Sequence, residues 1–230
     1  MVFAPQPTPD KVDLRDTLTF DCYNQGDLGS CTANAIAAAI QFDQIKQSQT
    51  PFTPSRLFIY YNERVIEETV SEDSGAMIRD GIKSVNVLGA PPETDWPYVI
   101  ARFTRKPTAK AFRKAKAHQA LSYARVCQNE DDLCAALASG FPFVYGFSVY
   151  ESFESREVGK TGVVPMPSDQ EQNLGGHAVL AVGYDKPNRV FITRNSWGTD
   201  WGQDGYFTIP FDYLTNRDLA DDFWQIKLIE

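Results

Sequence analysis

Three residues in this chain have the types and the order for nucleophilic attack on an acyl carbon: Cys31, then His177, then Asn195. A thiolate is a good nucleophile, an imidazole can move the proton, and a third polar group can hold the ring. Cys31 closes a glycine-punctuated loop, Gln25-Gly26-Asp27-Leu28-Gly29-Ser30, and an alanine-rich run follows at once. Glycine suits a loop and alanine a helix. Cys31 is therefore expected at a helix N-terminus, where the aligned peptide dipoles favour a thiolate. Taken singly, each residue has a plainer reading: Cys31 as a small buried apolar side chain, His177 as structural, Asn195 as a turn residue, Gln25 as an ordinary loop glutamine. His118 is the only other histidine, so any Cys–His chemistry has two candidate bases.

The helix opened by Cys31 is expected to run to about Lys46, with Ile36, Ala39, Ile40 and Phe42 on one apolar stripe. Pro54 or Ser55 opens a second helix through Leu57, Phe58, Tyr61 and Val65, and residues 76–87 form a third. Residues 93–98 read as a surface crossing, and Asn129 followed by three acids reads as another helix start. Runs rich in aromatic and β-branched residues at 141–149, 178–184, 189–194 and 205–210 read as strands. A helical half followed by a β half predicts an α+β arrangement.

At 230 residues the chain is long enough for one large domain or two small lobes. Its net charge of −8 argues against a general nucleic-acid binder. Residues 102–125 are locally basic, with no acid among them, and read as a solvated face. No apolar run approaches the roughly 20 residues that span a bilayer. Met1–Asp10 carries three prolines and no apolar core, so no secretory signal is expected there. That leaves the cytoplasm or export by another route. The spacing of Cys22, Cys31, Cys127 and Cys134 fits no paired zinc pattern, and no metal or cofactor is implied. Cys127 and Cys134 either pair or stand as two thiols flanking a helix start. Cys22 is expected to be buried and inert, and His118 to lie on the surface.

Together the residues resemble the papain-like cysteine peptidases, bacterial members in particular. Val12-Asp13-Leu14-Arg15 is similar to the family's opening "VDWR", and Asn24–Cys31 to "NQGxCGSC". Trp96-Pro97-Tyr98, Gly176-His177-Ala178-Val179 and Val182-Gly183-Tyr184 resemble "YPY", "HAV" and "VGY". Arg194–Gly202 with Gly205-Tyr206 resembles "KNSWGxxWGxxGY", the most specific match. His177 lies 146 positions after Cys31 and Asn195 lies 164 after it. The family's own spacing is about 130–150, so the histidine falls inside it and the asparagine slightly beyond.

The resemblance implies a two-lobe fold: a helical lobe, 12–118, and an antiparallel, β-barrel-like lobe, 119–230 with the N-terminal segment 1–11. The active-site cleft would lie between them. It implies an endopeptidase in which Cys31 attacks the peptide carbonyl, His177 serves as acid and base, and Asn195 orients the ring. Gln25 and the Cys31 N–H would form an oxyanion hole, each such donor being worth about 2.7–4 kcal/mol. Trp197 would shield the His–Asn contact. Ser74 and Gly75 would pair with substrate backbone, and Met77, Gly146 and Ala178 would wall a pocket favouring an apolar residue two positions before the cut. The implied partners are a peptide or protein substrate and a protein inhibitor, with no nucleic acid and no membrane, acting on a monomer. Acyl transfer, isopeptide cleavage or deamidation on the same residues, or a non-catalytic peptide-binding module, are the rival readings.

Two departures stand out. Leu28 and Glu72 occupy the positions of a disulfide the family usually has. Losing such a bridge costs about 2–4 kcal/mol, so packing must hold the loop around Gln25. Thr32 replaces a bulky aromatic after the nucleophile.

Overall fold

The computed structural model describes residues 7–229. Seven helices and seven strands follow in the order β1 (Lys11–Asp13), α1 (Cys31–Lys46), α2 (Arg56–Ile66), α3 (Ile78–Val87), α4 (Ala109–Ala115), β2 (Ala120–Arg125), α5 (Glu130–Ala138), β3 (Phe143–Tyr150), α6 (Arg156–Thr161), β4 (Asn173–Asp185), β5 (Val190–Arg194), β6 (Tyr206–Pro210), α7 (Phe211–Thr215) and β7 (Ala220–Ile229). The chain divides into two compact units. One comprises the segment up to Asn24 with Ala124–Gln225, the other Gln25–Tyr123 with the residues from Ile226 onward.

The second unit is built on α1, against which α2 and α3 pack. Apart from half-buried Cys31, every residue from Thr32 to Gln44 is buried, so α1 has no solvent face and the expected stripe is absent. The run of small alanines lets its neighbours approach on several sides, and the burial takes in polar Thr32, Asn34, Gln41, Asp43 and Gln44 as well. Helix α2 begins where expected, with Ser55 Oγ accepting the Phe58 N–H as an N-cap. It is buried from Arg56 to Tyr60 and again from Asn62 to Arg64, whereas Val65 is exposed and Tyr61 half-buried. The crossing at 93–98 is not wholly on the surface, because Trp96 is buried. His118 is half-buried, its ring edge-on to Phe52 at 4.6 Å.

The first unit holds the sheet, in the order β2-β7-β3-β4-β5-β6, with β1 added on β4. Strand β3 pairs antiparallel with β4 over residues 173–181, and β1 takes over at 183–185. Along its other edge β4 pairs with β5, and β5 with β6. The sheet is antiparallel but not closed, which corrects the barrel-like expectation. The outer edge of β6 is taken instead by residues 162–164: Val164 N–H donates to the Thr208 carbonyl and Thr208 N–H to that of Gly162. Strand β7 was not foreseen. It supplies Ala220 and Phe223 to a core that also contains Phe143, Tyr145, Phe147, Phe191 and Phe207. Helix α5 starts as expected, Asn129 Oδ1 accepting the Asp132 N–H.

All four cysteines are free thiols. Cys134 is fully buried, and burial pushes its thiol up to about 12; Cys22 is buried too, its thiol raised for the same reason. Residues 1–6 of the proline-rich start lie outside the described residues. From Thr8 onward the segment runs beside the end of β4, Tyr184 donating to the Pro9 carbonyl and Lys186 to Thr8. No helix among the described residues is long and apolar enough to cross a membrane.

Candidate active site

In the helical unit, Cys31 is the first residue of α1 and half-buried. The first N–H groups of a helix have no intrahelical acceptor, so the Cys31 amide belongs to the set aimed out of the helix start. The loop before it is fixed by hydrogen bonds rather than by a bridge. Gln25, only 8% exposed, donates Nε2–H to the Leu28 carbonyl at 3.0 Å, and Ser30 N–H donates to the same oxygen at 2.7 Å. Leu28 is buried, so the side chain at the lost cysteine position contributes packing.

Two polar webs brace this loop. On one side Tyr98 Oη lies 2.6 Å from Ser30 Oγ and donates to the Gln25 carbonyl at 2.8 Å. Asn34 donates to Ser30, and Arg56 donates to Asn34 while making a two-pronged ion pair with Glu93. The Arg56 guanidinium sits 4.1 Å from the centre of the Tyr98 ring. On the other side Gly29 N–H donates to the Asp73 carboxylate at 3.0–3.1 Å, and Tyr60 donates its hydroxyl to the same carboxylate. Behind both webs Thr32 donates to the fully buried Glu63 at 2.8 Å. Glu63 is pushed up to about 8, chiefly by burial.

Ser74 is exposed and bonds Thr69 and the Gly75 carbonyl. Gly75 adopts φ +70°, and its N–H donates to Tyr60 Oη at 3.2 Å. Met77 is 58% exposed. Glu72 is exposed and its carbonyl accepts from Arg64.

In the sheet unit, His177 lies on β4 directly opposite Phe147 of β3. Gly146 and Ala178, two of the expected pocket residues, are cross-strand partners one position away. A Cβ built on Gly175 or Gly176 would meet nothing within 4 Å, so β4 is exposed just before buried His177. His177 Nε2 is 2.8 Å from Asn195 Oδ1, and Oδ1 also accepts the Ser196 N–H at 2.8 Å. An oxygen facing a backbone N–H cannot be exchanged for the amide nitrogen without opposing two donors. The Asn195 orientation therefore makes Nε2 the protonated nitrogen and leaves Nδ1 for chemistry.

The ring is enclosed by aromatics. Trp197 stacks on it with centroids 5.1 Å apart and an interplanar angle of 29°, Phe147 meets it edge-on, and Phe153 lies tilted beside it. Trp201 packs behind Trp197 and Phe153. Burial lowers the imidazole to about 4, the Asn195 bond opposing the shift. The strand leading to Asn195 is anchored by Arg194, buried under Phe20 and Tyr206, donating to Tyr206 Oη at 2.7 Å and to the Phe20 and Asp21 carbonyls. Asn195 N–H donates to the Gly205 carbonyl and Gly198 N–H to that of Tyr23.

Phe147, Phe153, Tyr60, Asp73, Asn34 and the Arg56–Glu93 pair support the site without belonging to any of its sequence motifs. Asn34, a lone amide in an alanine run, was a visible signal. Nothing local marks Tyr60 as different from Tyr61.

A profile described as papain family cysteine protease matches residues 8–216. An uncharacterized peptidase C1-like protein of Acanthamoeba polyphaga mimivirus is 49% identical over 89% of this chain and 68% of its own length. The crystal structure of xylellain, a cysteine protease from Xylella fastidiosa, is 48% identical with a TM-score of 0.91, covering 99% of this chain and 91% of that one. A Carica candamarcensis cysteine protease in complex with E-64 shares the fold at 21% identity and a TM-score of 0.71, over 95% of this chain and 99% of that one. The first curated relatives that align over most of the chain are longer, this chain spanning 59–68% of their length. Helices around a cysteine at a helix start, an open antiparallel sheet carrying a His–Asn–Trp cluster, and these likenesses agree: the chain belongs to the papain family of cysteine proteases.

Proposed function

We propose that the chain is an endopeptidase that cleaves peptide bonds through a thioester on Cys31. The observation that carries this reading is the His177 ring, oriented through Nε2 by Asn195 and capped by Trp197, in a papain-family chain whose Cys31 opens a helix. The Cys31 thiolate attacks the peptide carbonyl carbon, and the displaced electron pair collects on oxygen. Gln25 Nε2–H and the Cys31 N–H bind that oxyanion. His177 Nδ1–H protonates the leaving amine as the C–N bond breaks, giving the thioester. Nδ1 then takes a proton from water, which attacks the thioester and regenerates the thiolate and imidazolium.

On the family resemblance Ser74 and the Gly75 carbonyl would pair with an extended substrate, the Gly75 N–H being held by Tyr60, and Met77, Gly146 and Ala178 would receive the residue two positions before the cut. All three are uncharged, so an apolar residue is preferred there. Profiling on a peptide library would show that preference; a preference for charge at that position would remove the assignment. The activity itself is tested with E-64, the ligand of the Carica relative. Wild-type protein should be labelled stoichiometrically and Cys31→Ala not at all. A folded wild type that resists labelling and cleaves no peptide would end the reading.

A further inference from the structure

Asp73 stands beside Glu72, one of the two positions where the family's bridge is missing, and its carboxylate accepts from two donors through three contacts. Both oxygens lie within 3.0–3.1 Å of the Gly29 nitrogen, and Oδ1 also accepts from Tyr60. Tyr60 Oη in turn accepts the Gly75 N–H. The tyrosine is held in place by the Arg64 guanidinium, 3.9 Å from its ring centre, which donates to the carbonyls of Val70, Glu72 and Phe103. A directed chain thus runs from Gly75 N–H through Tyr60 O–H to a carboxylate that also grips Gly29.

The Gly29 N–H and the Leu28 carbonyl belong to one peptide unit, which is planar and stiff. Fixing the N–H at Asp73 fixes the direction of the carbonyl, and that carbonyl accepts Gln25 Nε2–H at 3.0 Å. Nε2 carries two hydrogens in the amide plane. With one committed to Leu28, the direction of the other follows. We infer that Asp73 is a positioning residue for the oxyanion donor Gln25, acting through the Leu28–Gly29 peptide in place of the missing disulfide. A carboxylate is suited to this because it accepts only, and because charge-assisted bonds are shorter and stronger than neutral ones. Asparagine at 73 would turn an N–H₂ toward either Gly29 or Tyr60, both donors.

This inference rests on reading Gln25 as an oxyanion donor, and the experiment separates the two. Asp73→Asn, Asp73→Ala, Gln25→Ala and the double variant Asp73→Asn/Gln25→Ala are compared with wild type, with active sites counted by E-64 titration. Three quantities are read: kcat per active site on a peptide amide, the rate of Cys31 alkylation by iodoacetamide, and the thermal midpoint. Alkylation has no oxyanion in its transition state. The expected result is a fall in kcat of about tenfold or more for either Asp73 variant, alkylation within about twofold of wild type, and little further loss when Asp73→Asn is added to Gln25→Ala. Full kcat per active site in both Asp73 variants, or additive losses in the double variant, would overturn the positioning role while leaving the peptidase intact. Normal kcat in Gln25→Ala would remove the oxyanion assignment on which it rests.

Discussion

Oδ1 of Asn195 takes two hydrogen bonds at 2.8 Å, one from His177 Nε2 and one from the Ser196 N–H beside it. The backbone bond sets the amide, and the amide sets the ring. Replacing Asn195 by Ala frees the imidazole to rotate and leaves Nε2–H without its acceptor. A hydrogen bond to a charged ring is worth about 1.5–3 kcal/mol, which corresponds to roughly a 10–150-fold loss of kcat/KM. Steady-state kinetics corrected for active-site titre checks this, and an unchanged value would show the ring to be held by the aromatics alone.

The His177 ring gives a second expectation. Among Trp197, Phe147 and Phe153, burial pulls the neutral ring's pKa down to about 4, against the Asn195 bond. The proposed mechanism calls for an imidazolium at His177, and on that proposal the Cys31 thiolate serves as its counter-charge. In Cys31→Ala the ring should titrate near 4; in the wild type with its thiolate intact it should titrate well above that. NMR of the imidazole protons across pH 3–9 compares the two. Identical midpoints would mean that the thiolate and imidazolium are not paired.

Much of this was legible in the sequence because it is local. The start of α1 at Cys31, the Ser55 and Asn129 caps and most strands follow from glycine, alanine and capping residues acting on their neighbours. Cys31, His177 and Asn195 stood out through a family likeness in motif and order, each having a plainer reading alone. What stayed hidden depends on long-range partners. Phe153 lies in a charged stretch, yet it contacts His177, Trp197 and Trp201. Val65 has the right helical spacing for a core face but is exposed, because α2 is buried over its first turns and not along one stripe. Asp73 looks like an ordinary loop acid until the fold brings Gly29, 44 positions away, to its carboxylate.

Gly205 marks another long-range contact. It holds φ +85°, and a Cβ there would lie 2.4 Å from Cys22 Cβ and 2.5 Å from its Sγ. Its carbonyl also accepts the Asn195 N–H. Gly205→Ala is expected to destabilise by about 1–3 kcal/mol through overpacking and the left-handed backbone. It should also lower kcat by displacing Asn195. Denaturant unfolding measures the first effect and titrated kinetics the second. Cys22→Gly should recover part of the stability when combined with Gly205→Ala, since it removes the opposing atoms and leaves only the backbone strain.

The helical unit carries two buried acids whose titration sets its stability against pH. Glu63 has one oxygen on Thr32 and the other without a partner among the described residues, and Asp43 on α1 has neither oxygen bonded. Burial pushes each to about 8, with Thr32 opposing for Glu63 and Lys46 opposing for Asp43. Their ordinary values are 4.5 and 3.8. Between those values and about 8 the folded protein keeps protons that the unfolded chain releases. The folded state is then favoured at low pH and loses that advantage as pH rises towards 8, by up to about 1.4 kcal/mol per pH unit for each group. His177 acts in the opposite sense below about 6.5, because a ring lowered to about 4 makes the folded state shed a proton there. The window from 6.5 to 8 therefore isolates the acids. In a Cys31→Ala background, which also prevents self-digestion, Glu63→Gln and Asp43→Asn should each flatten the fall in unfolding free energy across that window and gain on the parent at pH 8. Urea unfolding at half-unit pH steps provides the measurement; a parent curve already flat from 6.5 to 8 would mean that both acids are ionised in the folded protein.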